Sequence, residues 1–147
     1  MVNGIAEILE KASELEGVNE KIAFLQEHSS ASIKQVVGLT YDPKVEWALP
    51  ETNPPYKPAH KDMDLQGQFQ NELKRLYVFL KCPQAEGFTR LRREQIFIEM
   101  LENIDPDDAV LLLGMKNRRL PWNGMTYKLI KKAFPSISKE WPKDEPI

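Results

Sequence analysis

Asp105-Pro106-Asp107-Asp108-Ala109-Val110-Leu111-Leu112-Leu113-Gly114 reads as a helix start followed by a heavily apolar body. Asp105 is a good N-cap, because its carboxylate can accept a first-turn N–H. Pro106 fits the first helical position, where its missing donor costs nothing, and Asp107 and Asp108 complement the positive end of the helix dipole. The same three aspartates could be imagined as metal ligands, but a capped helix start accounts for every one of them. Three consecutive leucines make this helix heavily buried, and Gly114 is expected to end it.

Helical spacing continues outward in both directions. Thr89 can cap a helix bearing Leu91, Gln95, Ile96, Ile98 and Leu101. Phe69, Leu73, Leu76, Tyr77 and Leu80 repeat at helix spacing from Leu65 until Cys82-Pro83. Near the N-terminus Ile5, Ile8, Leu9, Ala12 and Leu15 share one face, opposite Glu7, Glu10 and Glu14, and Gly17 is expected to end that helix. Asn19 can cap a second helix carrying Ile22, Ala23, Phe24 and Leu25. Ser30 or Ser32 can start a third with Ile33, Val36 and Val37 inward. Tyr41-Asp42-Pro43 stops the third, since a residue before proline leaves the α region. Pro43 then suits a short helix through Trp47 and Leu49. Residues 50–64 hold Pro50, Pro54, Pro55 and Pro58 and read as an extended surface connection. Thr126 is a candidate cap for a last helix with Leu129, Ile130, Ala133 and Phe134, stopped by Pro135. No strand alternation stands out, so the expectation is a compact all-α domain over 1–137, with a mobile tail over 138–147.

The chain has 147 residues, 41% hydrophobic and 29% charged, enough to bury a core without staples. A single cysteine, Cys82, excludes an intrachain disulfide framework and fits a reducing cytoplasm. Cys82 has no obvious histidine partner, and no Gly-rich phosphate loop occurs. No catalytic constellation is visible, no metal or cofactor site is expected, and no apolar run approaches the roughly 20 residues of a membrane span.

The net charge of −2 conceals an asymmetry. Residues 1–60 hold five basic and nine acidic residues, whereas 74–132 hold twelve and seven. From Lys116 to Lys132 there are six basic residues and no acid. In that segment Lys116, Arg118, Arg119, Lys128, Lys131 and Lys132 are candidate phosphate contacts. Gly124 and Thr126 open a helix whose backbone N–H groups can add to them, and Trp122 and Tyr127 can wedge against sugars or stack on bases. A solvated basic loop whose Trp122 fills the core explains the same composition equally well. Arg90, Arg92 and Arg93 are a weaker candidate for a second phosphate contact and read rather as a surface face paired with Glu86 and Glu94.

Three stretches, Ile5–Ser13, Glu20–Glu27 and Ile33–Tyr41, resemble the opening of the ATP-dependent DNA ligases of T-even-type phages. Arg93–Leu101, the following acidic turn, and Gly124-Met125-Thr126 leading to Ala133-Phe134-Pro135 are similar to the rest of that all-helical DNA-binding domain. Tyr41-Asp42-Pro43, Leu49-Pro50-Glu51, Pro54-Pro55-Tyr56 and Arg92–Phe97 also look like small, uncharacterised proteins of tailed phages. No lysine is followed by x-Asp-Gly, the ligase motif whose lysine takes the adenylate. The resemblance therefore implies a free-standing, non-enzymatic domain in the host-cell cytoplasm that grips duplex DNA across the minor groove without reading sequence. It puts the contacts at Arg118, Arg119, Gly124, Thr126 and Lys128. The alternative is a protein-interaction module that has lost DNA and binds a host or phage replication protein, for which the acidic first helix and the Pro-rich 50–58 segment are suited.

Overall fold

In the computed structural model, residues 5–50, 52–59, 65, 68–139 and 141 are described. Seven α-helices occur among them: α1 (Ile5–Ser13), α2 (Val18–Glu27), α3 (Ala31–Tyr41), α4 (Gln68–Glu72), α5 (Arg90–Glu102), α6 (Pro106–Lys116) and α7 (Tyr127–Ala133). The fold is all-α. No described helix is long and apolar enough to cross a membrane.

α6 is the central element. Ala109, Leu111, Leu112 and Met115 are fully buried, and α1, α3 and α5 all pack against the helix. Its start forms as the residues dictate, with Pro106 in the first turn and the Asp105 carboxylate accepting the Asp107 N–H at 2.9 Å. Three further caps form at Ser30, Thr89 and Thr126, each hydroxyl accepting an N–H three residues on, from Ile33, Arg92 and Leu129.

Several elements differ from the reading of the sequence. α1 stops at Ser13, and Gly17 is the N-cap of α2, where its N–H reaches back to the Glu20 carboxylate. Asn19 lies inside α2, and Ala23 is exposed. Gly114 lies within α6, which runs on to Lys116. Leu91 and Gln95 face solvent on α5, whose buried stripe is Ile96, Phe97, Met100 and Leu101.

The helix expected over 65–80 is α only as far as Glu72. Leu73–Phe79 is a 3₁₀ segment. Three residues per turn stack Leu73, Leu76 and Phe79 on one side, and all three are buried, while Tyr77 turns outward.

The short helix expected after Pro43 does not form. The Asp42 carboxylate accepts the Lys44 N–H at 2.9 Å, closing a turn that directs the chain into extended backbone. Trp47 then forms an antiparallel bridge with Leu80, through Ala48 N–H to Phe79 O and Lys81 N–H to Glu46 O.

Residues 52–59 are irregular, as expected; 51 and 60–64 lie outside the described residues. Pro54 and Tyr56 are half-buried and alternate with exposed neighbours, as an extended strap on a surface should. The Lys57 N–H donates to the Glu102 carboxylate at 2.8 Å, holding the strap along α5. The core also continues past residue 137. Ser138 and Trp141 are buried, the Ser138 hydroxyl donates to the carbonyls of Lys131 and Phe134, and Trp141 stacks on Tyr127 at 5.7 Å.

Candidate nucleic-acid interface

The six cations between 116 and 132 do not form one patch; the end of α6 sorts them. Lys116 is buried, and its ammonium donates to the carbonyls of Pro50 and Thr52 and to Asn117 Oδ1, at 2.9, 3.4 and 2.8 Å. A buried ammonium needs such acceptors to offset its desolvation. The Asn117 amide donates to Asn53 Oδ1 at 3.0 Å, so both residues bind the Pro-rich strap to the end of α6. Lys116 is a structural cation, and residue 50 with the described residues 52–58 forms a docked strap.

Arg118 is also turned inward. α6 closes in a Schellman arrangement: Arg118 N–H donates to Met115 O at 3.1 Å and Arg119 N–H to Gly114 O at 2.9 Å. The residue after the cap must then be left-handed, and Arg118 has φ +63° where glycine is usual. Its guanidinium donates to the carbonyls of Leu39, Asp42 and Val45, satisfying the C-terminal end of α3 and the turn after it. Gly114 makes the same turn possible. A Cβ there would stand 2.5 Å from Arg119 O and 3.0 Å from Pro121 Cδ.

The reversal leaves Arg119 exposed at the head of a loop whose two sides are held by one side chain. The Tyr41 hydroxyl accepts the Leu120 N–H at 3.1 Å and donates to Met125 O at 2.6 Å. Trp122 is half-buried, with its ring packed against the core. The loop borders an open groove of about 510 Å³, lined among others by Arg119, Trp122, Gly124 and Thr126. Gly124 has φ +81°. Met125 N–H is taken by Trp122 O at 3.3 Å, and the Thr126 hydroxyl accepts Leu129 N–H, so the loop uses part of its own donor set. Tyr127 is buried against Tyr41 and Trp141 and is not a surface aromatic.

Lys128 and Lys132 on α7 are exposed, and Lys131 is half-buried. Among the described residues the side chains of Arg119, Lys128, Lys131 and Lys132 make no hydrogen bond or ion pair. These four are the uncompensated cations of the segment. Lys21 of α2 reaches the same loop, its ammonium 2.5 Å from the point a Cβ on Gly124 would occupy. Nothing in the local sequence of α2 signals this, because the proximity comes from packing of α2 on α7. Of the second arginine cluster two members are engaged, and Arg92 is exposed. Arg93 donates to Val78 O and Ala85 O, and Arg90 pairs with Glu94 at 3.3 Å.

A wider cleft of about 720 Å³ lies between Trp47, Leu49, Lys81, Cys82 and Arg90. The Cys82 thiol donates to the Tyr77 carbonyl at 3.5 Å. No group of three or more potential metal ligands occurs among the described residues.

A family model described as a family of unknown function, DUF6433, matches residues 8–121, which is most of the chain. No curated protein and no solved structure matches. The matched span runs from α1 through the Schellman turn and ends at Pro121, before α7.

Proposed function

We propose that this chain, which belongs to the DUF6433 family of unknown function, is a non-catalytic protein that binds duplex DNA through its phosphates without reading sequence. The observation that carries the reading is the sorting of the cations. Lys116 and Arg118 are used on carbonyls, while among the described residues Arg119, Lys128, Lys131 and Lys132 make no hydrogen bond or ion pair, and Arg119 lines a groove. Uncompensated cations on a rigid loop and helix are the donors that phosphate oxygens take, and such contacts fix position without specifying bases. The half-exposed edge of Trp122 lines the same groove and is placed to press on sugars. The resemblance to the phage ligase domain supports the same assignment and, with it, a tailed-phage source and action in the host cytoplasm. The chain's overall charge of −2 keeps the attraction local to this face.

A mobility-shift titration on two unrelated duplexes at several salt concentrations tests the proposal. Four phosphate contacts at about −0.9 each predict a log–log salt slope of about −3 to −4. Replacing Arg119 and Lys128 together by alanine should flatten that slope by about two units on both duplexes. No binding at low salt would sink the DNA reading and leave protein interaction in its place.

A further inference from the structure

The DNA-facing surface has a component on a second helix. We infer that Lys21, carried by α2, is an additional phosphate contact of this site, set in place by the packing of α2 against α7; the inference rests on the DNA-binding reading above. Two helices from opposite ends of the chain lie together here. Gln26 Nε2 donates to Ala133 O at 3.2 Å at the far end of α7, and Lys21 reaches Gly124 at the near end. The ammonium occupies the space a side chain at residue 124 would fill, so the absence of a Cβ there leaves room for the cation on the loop surface.

Three features argue that Lys21 serves a ligand. Its side chain makes no hydrogen bond or ion pair among the described residues. The acids nearest to it on α2, Glu20 and Glu27, point elsewhere. At roughly 100° per residue both lie more than a quarter turn round the helix from Lys21, on the same side. Glu20 is in addition engaged on the Gly17 N–H. The stripe that Lys21 shares with Val18, Phe24 and Leu25 carries no acid, so its charge adds to that of Arg119 at the loop. Held against exposed Gly124, the ammonium lies at the rim of the groove that Arg119 and Trp122 line. A duplex backbone following that groove meets Lys21 at Gly124 as well as Arg119.

The test is the salt slope of full-length Lys21→Gln and Lys21→Arg, with Lys74→Gln as a control on the 3₁₀ segment. Lys21→Gln should flatten the slope by about one unit, equally on unrelated duplexes, with an unchanged melting temperature. Lys21→Arg should restore it, and Lys74→Gln should leave it alone. A wild-type slope retained in Lys21→Gln, while the Arg119/Lys128 variant loses two units, overturns this inference and leaves the DNA reading standing. Weaker binding at an unchanged slope with a lowered melting temperature marks a packing role and also overturns it. Absence of any binding by the wild type removes both.

Discussion

The carboxylate of Asp108, in the first turn of α6, accepts the backbone N–H of Ala6, in the first turn of α1, at 3.1 Å. One side chain thus satisfies an orphan donor of a helix 102 residues away. Asp108 is only 4% exposed, and burial, with the nearby charges of Asp105 and Asp107, pushes its carboxyl up to about 6 even though the Ala6 bond favours the charged form.

A folded-state value above the ordinary one makes the folded chain the tighter proton binder. Stability should therefore be greatest below about pH 4, fall as pH rises to about 6, and level off above, with a total change of at most about 3 kcal/mol. Asp108→Asn keeps an oxygen for the Ala6 N–H and has no charge to bury. It should lose this pH dependence and be at least as stable as the parent at neutral pH. Asp108→Ala should be less stable by about 1–3 kcal/mol, having orphaned a buried donor. Urea denaturation at about pH 4 and about pH 7 reads all three chains; an acid-to-neutral slope surviving in Asp108→Asn would show that the titrating group lies elsewhere.

Arg118 should behave as a stability residue and not as a DNA contact. Arg118→Ala removes the donors of three carbonyls and keeps the left-handed backbone, at a cost of about 2–4 kcal/mol. Arg118→Gly loses the same donors and relieves the backbone, so it should be about 1 kcal/mol less damaged than Arg118→Ala. Where either variant remains folded, its salt slope on duplex DNA should equal that of the parent. A slope flattened by one unit in both would put the guanidinium on phosphate.

The fold class was legible because it rests on short-range chemistry. Asp105, Ser30, Thr89 and Thr126 act as caps from their own local sequence, and Pro106 and Pro135 sit where their missing donors do no harm. What failed depends on partners distant in the chain. The Pro43–Leu49 stretch has a helix start, but the carbonyls of Asp42 and Val45 are claimed by Arg118, 76 and 73 residues away. The basic run was visible as composition, yet its division was not. Lys116 turns inward because the Pro50 and Thr52 carbonyls need a donor, and Arg118 because α3 ends beside it. Lys21 could not be found from sequence spacing at all, since only the α2–α7 contact brings it to Gly124.

Gly114→Ala should disrupt the turn that aims Arg119 outward. The clash is with backbone, Arg119 O at 2.5 Å, so no rotamer relieves it, and helix propensity, which favours alanine, is outweighed. A loss of about 1–3 kcal/mol is expected from overpacking. Because the Arg119 N–H to Gly114 O bond must lengthen, the proposed DNA binding should weaken beyond that of a surface variant of equal stability. Thermal melting together with the shift assay separates the two effects; a stabilised Gly114→Ala would contradict the close approach.

Tyr41→Phe tests whether the loop is held as a unit. The hydroxyl serves Leu120 N–H and Met125 O simultaneously, and Leu120 and Met125 are themselves buried at 2% exposure, so water cannot readily replace it. The ring also packs edge-on to Tyr127 at 6.1 Å, and phenylalanine preserves that contact. Removing one oxygen therefore isolates the polar contribution: two buried backbone groups lose a partner, for about 1–3 kcal/mol. The consequence for binding follows from position. Arg119 precedes Leu120, and Gly124 precedes Met125, so both sides of the groove are released together. If the proposed DNA binding holds, its phosphate contacts form from a looser loop at an added ordering cost, and affinity should fall on all duplexes while the salt slope stays that of the parent, since no cation is removed. Hydrogen exchange at the Leu120 amide should accelerate in step. Unchanged exchange at Leu120, or a salt slope that flattens with the hydroxyl removed, would contradict the role of Tyr41 as the tie across the basic loop.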